Sequence, residues 1–209
     1  CMANKYVTLA KNTGWTLLGN SGSKLLGFLL LPLYTRWLGT AGFGLSDLIA
    51  TYATLLLGFS TLCIADAIFV FTKGGKTESI QRNFSSSLVL AALLLSVWFI
   101  IFFAIDCICG YTCIRNSFSE NIWYIYFMIV STFVQQYFHN LILGFGYIKL
   151  FSSTGIVLTL TTFCFSYSLI PTLGVKGYIL SIVFANLITV LYTIIFSKAY
   201  RCFSFHSID

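Results

Sequence analysis

Residues 84–105, FSSSLVLAALLLSVWFIIFFAI, contain no charged side chain. Wound as an α-helix at about 1.5 Å per residue, this segment is about 33 Å long, enough to cross a hydrocarbon layer about 30 Å thick. Lipid offers no water to bond a backbone N–H or C=O, so only helices and closed barrels can span it. Barrel strands alternate apolar and polar residues, and this segment does not. It is read as a transmembrane helix.

Comparable stretches recur at 12–38, 44–71, 121–145, 150–170 and 177–197. The expected fold is therefore all-α, a polytopic membrane protein with six transmembrane helices. Charged residues make up only 9% of the chain, against about 25% in a soluble domain. Too few remain to cover a water-facing surface. Short connections at 39–43, 146–149 and 171–176 predict that sequence neighbours pack antiparallel.

The net charge of +6 does not indicate nucleic acid, because the cations flank apolar stretches and form no basic patch. With the N-terminus inside, the inner segments hold Lys5, Lys11, Lys73, Lys76, Arg82, Lys149, Lys198 and Arg201, and the outer ones Arg36, Arg115 and Lys176. That bias places both termini in the cytoplasm. The N-terminal run is too long for a signal h-region and has no small-residue cleavage site, so no cleavable leader is expected.

Candidate functional residues are the polar ones at membrane depth. The first span begins NTGWTLLGNSGSK, and its small and polar residues, Asn20 and Ser23 among them, suit a helix interface or a wet cavity better than lipid. Lys24 follows about 18 Å into the helix, where an ionisable group usually faces protein or water; a snorkelling stem is the alternative. Arg36, nearer the outer surface, is either an interfacial anchor or a substrate contact. Pro32 is expected to bend the helix. Asp47 is placed to pair with Arg36, and Asp66 to act as a helix-end charge or an ion-coupling group. Gln135, Gln136, His139 and Asn140 cluster in the fourth span, with Gln136 and Asn140 one turn apart. They, and Asn186 in the sixth span, either bond neighbouring helices or line a polar pathway.

The chain has no phosphate-binding GxxxxGK[ST] loop, no H-E-x-x-H motif and no aspartate-rich magnesium motif. No cofactor, metal or enzymatic activity is expected. Cys107, Cys109 and Cys113 share a connection, but their spacing matches no zinc pattern, and Cys63 and Cys164 read as small hydrophobes within spans.

Residues 11–71 resemble the N-terminal part of bacterial polysaccharide-export flippases, the Wzx-type O-antigen and capsule repeat-unit translocases. These belong to the multidrug/oligosaccharidyl-lipid/polysaccharide exporter superfamily. Lys24, PLYTR at 32–36, FGLSDL at 43–48 and ADAIF at 65–69 carry the likeness, and GVKGYILS at 174–181 extends it. Val70 and the neighbourhood of Leu143 depart from it, since relatives often carry arginines there. The resemblance implies two lobes of six helices around a central cavity in the bacterial inner membrane. This chain would then be the N-terminal lobe and a fragment, as Cys1 ahead of Met2 suggests, its partner being the missing C-terminal lobe or a second copy. The implied substrate is an oligosaccharide on a polyprenyl diphosphate. Lys24 would offset the diphosphate charge, with Arg36, Asn20, Ser23, Gln136 and Asn140 as substrate contacts. The competing readings are a multidrug or metabolite exporter of the same superfamily and a membrane polymerase or glycosyltransferase.

The topology predicts that Cys109 and Cys113 react with an impermeant thiol reagent on intact cells (after outer-membrane permeabilisation where needed), while Cys202 is protected. Modification of Cys202 from outside would overturn the orientation.

Overall fold

A computed structural model describes the backbone of residues 2–62, 64–72, 77–112 and 119–197, and the side chains of 13–14, 28, 30–59, 61–62, 64–70, 84–111 and 120–197. The described residues form an all-helical bundle. Helix α1 runs Met2–Thr61, α2 Ile64–Thr72, α3 Thr77–Thr112, α4 Ile122–Gly144, α5 Ile148–Leu173 and α6 Val175–Ser197, with a 3₁₀ turn at Ser119–Asn121 before α4. Among the described residues, four stretches are long and apolar enough to cross a membrane: Leu30–Phe59, Phe84–Tyr111, Ile148–Leu173 and Val175–Ser197. Helix α4 is not among them. Its polar cluster dilutes its apolarity, and it is the helix most enclosed by the others.

The first two expected spans meet inside α1. The connection expected at 39–43 is a single-residue kink: Gly39, at φ 68° and ψ 174°, is the one non-helical residue within the helix. A glycine pays no Cβ penalty at positive φ, so one residue redirects the chain and helix resumes immediately. Pro32, expected to bend the helix, keeps helical backbone angles, and the sharp break lies seven residues later. The second span is in turn divided at Leu62, which has φ 47°, so α2 is its continuation.

Side-chain hydrogen bonds define the packing. Along α3 and α4, Ser87 meets Tyr137 at 2.7 Å, Tyr126 Oη donates to the Leu95 carbonyl at 3.2 Å, and Trp123 Nε1 donates to Asp106 at 3.0 Å. These helices are therefore antiparallel. Helices α5 and α6 form a second antiparallel pair around Gly174, joined by Ser166–Ser181 at 3.1 Å and Ser153–Tyr192 at 3.2 Å. Tyr34 lies beside Ser166, and just past the kink Gly42 lies against Val175 at the start of α6, so the first limb of α1 runs alongside α5 toward the same end. Neighbours alternate in direction, as the short connections predict.

The core is centred on α4, whose Ile125 and Leu141 are fully buried, against Ile49 and Ala53 of α1, Ile68 of α2, Phe84 of α3 and Ile179 of α6. Apolar side chains also cover the outside. Leu93, Val97, Ile100 and Phe103 of α3, and Leu187, Leu191 and Ile195 of α6, are exposed at helical spacing, as lipid-facing surfaces require. Since lipid tails are as apolar as leucine, these helices are held by close contact and hydrogen bonds rather than by exclusion from water.

Gly177 marks the closest approach. A Cβ there would lie 2.3 Å from the Leu169 carbonyl oxygen and 2.7 Å from its carbon. Those are backbone atoms that cannot rotate away. Gly177→Ala is expected to push α6 off α5 and destabilise the protein by about 1–3 kcal/mol. Gly44→Ala, where nothing lies within 4 Å, is expected to be near neutral. Denaturant unfolding in micelles checks this, and equal midpoints for the two variants would refute the contact.

Candidate functional site

Successive residues of a helix project about 100° apart, so the polar cluster on α4 is shared among several neighbours. Asn140 spends both amide hydrogens on α2, bonding the Ala65 carbonyl and Asp66 Oδ1, each at 2.9 Å. His139 stacks on Phe151 with ring centres 4.0 Å apart, and its Nδ1 lies 2.9 Å from Thr154 Oγ1. Thr154 donates its one hydroxyl proton to the Phe151 carbonyl, so His139 is the donor and carries its proton on Nδ1, leaving Nε2 as an acceptor. Asn186 of α6 donates to Ser131 at 3.3 Å and to Thr132 at 3.1 Å.

A second network lies near the Gly39 end. Ser181 donates to the Tyr178 carbonyl and Ser166 to Ser181. Both serine protons are then committed, so the Tyr34 hydroxyl donates to Ser166, at 3.0 Å. Three hydroxyls thus form one directed chain linking α1, α5 and α6.

Between the two networks, α1, α4, α5 and α6 enclose a cleft of about 180 Å³ lined by Thr54, Thr132, Gln135 and Asn186 with Ala53, Leu57, Met128, Ile129, Leu158 and Ile182. Its polar groups are amides and hydroxyls, which donate and accept hydrogen bonds without charge. A larger depression of about 570 Å³ near Tyr147, Lys149, Phe196 and Ser197 gathers no buried polar side chain. Among the described residues no three His, Cys, Asp or Glu side chains come together, and Cys107, Cys109 and Cys164 are free thiols.

Residues 9–209 match the profile of a family described as "Polysaccharide biosynthesis protein". The chain belongs to this family. Comparison with curated proteins and with solved structures returns no match.

For this polysaccharide biosynthesis protein, the structure joins some of the residues singled out by sequence and separates others. Asp66 and Asn140 are brought into contact. Gln136 is exposed one turn before Asn140. Arg36 and Asp47 are both exposed, and among the described residues no ion pair joins them; the kink at Gly39 does not fold one limb back onto the other there. The side chains of Asn20, Ser23 and Lys24 lie outside the described residues, although α1 includes their backbone. Gln135, adjacent to the expected Gln136, turns out to be the glutamine of the cleft, together with Thr54, Thr132 and Asn186. The signal available in the sequence was Asn186 itself, the one side-chain amide in α6.

Asn140 fastens α2 to α4 through two bonds, together worth about 1 kcal/mol or more. Asn140→Ala is expected to speed amide hydrogen exchange in α2 by roughly fivefold. Asp66→Asn, which keeps an acceptor oxygen and the Ala65 bond, is expected to change it less. Equal effects from the two would reassign the restraint from Asn140 to the Asp66 charge.

Proposed function

We propose that the chain is one lobe of a flippase for polyprenyl-diphosphate-linked oligosaccharides in polysaccharide, O-antigen or capsule assembly, acting in the bacterial inner membrane without a chemical step. Membership of the polysaccharide biosynthesis family supports this reading, and one observation carries it further. Asp47, Thr51 and Thr54 are all exposed on one face of α1, at the i, i+4, i+7 spacing of a single helical stripe. Such a stripe is poorly solvated by lipid tails and well suited to a watery path beside a second lobe. That lobe would be a C-terminal counterpart or a second copy, and the two would rock around the path to give alternating access.

The substrate has a charged diphosphate between a polar sugar and a lipid tail. In this proposal the tail stays in the bilayer, the sugar follows the polar stripe, and Lys24 meets the diphosphate with Asn20, Ser23 and Arg36 nearby. A cation in a region of low dielectric lowers the cost of moving that charge inward. Lys24 also favours this reading over a multidrug exporter, whose cationic substrates would call for an acidic cavity. Gln136 and Asn140 serve as sugar-side contacts in the same scheme, and Asp66 as an ion-coupling or structural charge.

The test is surface polysaccharide, normalised to protein level, in a flippase-null strain expressing Lys24 variants together with the second lobe. Lys24→Ala is expected to insert normally, since removing a membrane-buried charge lowers the insertion cost, and to lose most translocation. Lys24→Arg is expected to retain part of it, because the charge persists on a differently shaped head group. Lys24→Glu is expected to be the worst. Parental export by both Lys24→Ala and Lys24→Glu would reduce Lys24 to a snorkelling side chain.

A further inference from the structure

The cleft contains hydrogen-bonding capacity that the protein does not use. Gln135 is 9% exposed, lines the cleft, and among the described residues no group bonds its amide. Asn186 is 4% exposed; its nitrogen is committed to Ser131 and Thr132, while its oxygen has no donor among the described residues. Thr132 accepts from Asn186 and keeps its hydroxyl proton, and Thr54 gives its proton to the Ala50 carbonyl and keeps its lone pairs. Donors and acceptors therefore converge from three helices. These groups are not among the sealed, unpartnered polar atoms of the described residues; they are reachable from the cleft, so an occupant with hydroxyl groups can bond them directly.

We propose that this cleft is a binding subsite for one neutral monosaccharide ring. The inference rests on the flippase reading and specifies where a sugar of the lipid-linked oligosaccharide docks within the lobe. Three observations select that occupant. No charged side chain lines the cleft, so an ion would sit there uncompensated at low dielectric. The volume of about 180 Å³ is slightly above the roughly 150 Å³ of a cavity that binds benzene, so the cleft holds one ring at most, with exocyclic groups at the open mouth. The lining is two-natured: amides and hydroxyls on one side suit sugar hydroxyls, and Leu158 and Ile182 present an apolar wall to ring C–H groups. Thr54 is exposed and marks the mouth.

The test is thiol protection in the 209-residue chain in lipid nanodiscs. A water-soluble maleimide alkylates Thr54→Cys, and mass spectrometry reads the modification at that peptide, apart from the native cysteines. The probes are methyl glycosides of a neutral hexose, a 6-deoxyhexose and an N-acetylhexosamine, with methyl glucuronide and sodium chloride as charged controls. A site of about 10 mM affinity slows alkylation about tenfold at about 100 mM glycoside. At least one neutral glycoside is expected to do so, the charged probes are not, and Tyr111→Cys, exposed at the end of α3 and outside the cleft lining, is expected to react at the same rate throughout. Gln135→Leu is expected to abolish protection, and Thr132→Val serves where Gln135→Leu does not fold.

The proposal is overturned if no neutral glycoside protects, which would leave a cleft that holds water only. It is equally overturned if a charged probe protects as well, if Thr54→Cys is unreactive and the cleft closed, or if both interior variants keep full protection. Because the assay measures binding without export, absent protection beside Lys24-dependent export removes the subsite and leaves the flippase reading. Protection with no such export keeps the sugar site and removes the diphosphate role of Lys24.

Discussion

In lipid, apolar surface gains nothing by leaving the solvent, so this bundle depends on hydrogen bonds between helices. Helix α4 is where they converge. Tyr126 and Tyr137 reach α3, Asn140 reaches α2, His139 reaches α5, and Thr132 with Ser131 receives Asn186 from α6. Each bond uses a different side chain at a different angle around one helix, so each neighbour is fixed in rotation as well as distance. The same demand explains why many threonines elsewhere, such as Thr61, Thr189 and Thr193, bond the carbonyl one turn back. A hydroxyl in hydrocarbon takes whatever acceptor lies nearest.

The fold class was legible because charge-free runs of membrane length permit few alternatives. What escaped the sequence was local. Pro32 carries the standard signal for a helix break, yet the break is at Gly39, because turning a chain requires a backbone angle that glycine adopts freely and proline does not. The second span appeared continuous through residue 71, yet Leu62 interrupts it at positive φ, a conformation that a leucine adopts at a cost of about 1–2 kcal/mol and that no sequence pattern announces. Residues 121–145 read as a span in the sequence, yet α4 is not one of the four membrane-length apolar stretches; its central place in the bundle depends on which neighbours accept its polar groups, and periodicity does not contain that information.

The two adjacent glutamines show the same limit at the site. Gln135 and Gln136 are chemically identical and one residue apart, so sequence places both in one cluster. The helical rotation of about 100° between them turns Gln135 into the cleft and Gln136 to the exterior. In the flippase reading they would serve different volumes, one inside the lobe and one between lobes. Asp66 and Asn140 present the reverse case. They are far apart in sequence, yet the α2 turn of the chain after Leu62 brings them to 2.9 Å.

The hydroxyl chain from Tyr34 to the Tyr178 carbonyl bears on how such a lobe would move. It ties the first limb of α1 to both α5 and α6 only five residues before the kink at Gly39. The second limb is held separately, through Ile49, Ala53 and Leu57 packed in the core around α4. The hydroxyl chain holds only the first limb, while the second packs on α4 and also on Ile179 of α6, with one glycine between them. Helices α5 and α6 meet α4 along a seam that His139–Thr154, Asn186–Ser131 and Asn186–Thr132 bridge. The cleft sits at this seam and is lined from both sides, by Leu158 and Ile182 from the α5–α6 pair and by Gln135 and Thr132 from α4. An occupant bonded to Gln135 on one side and Asn186 on the other would hold the seam closed, which makes binding within the lobe and its shape two readings of a single contact.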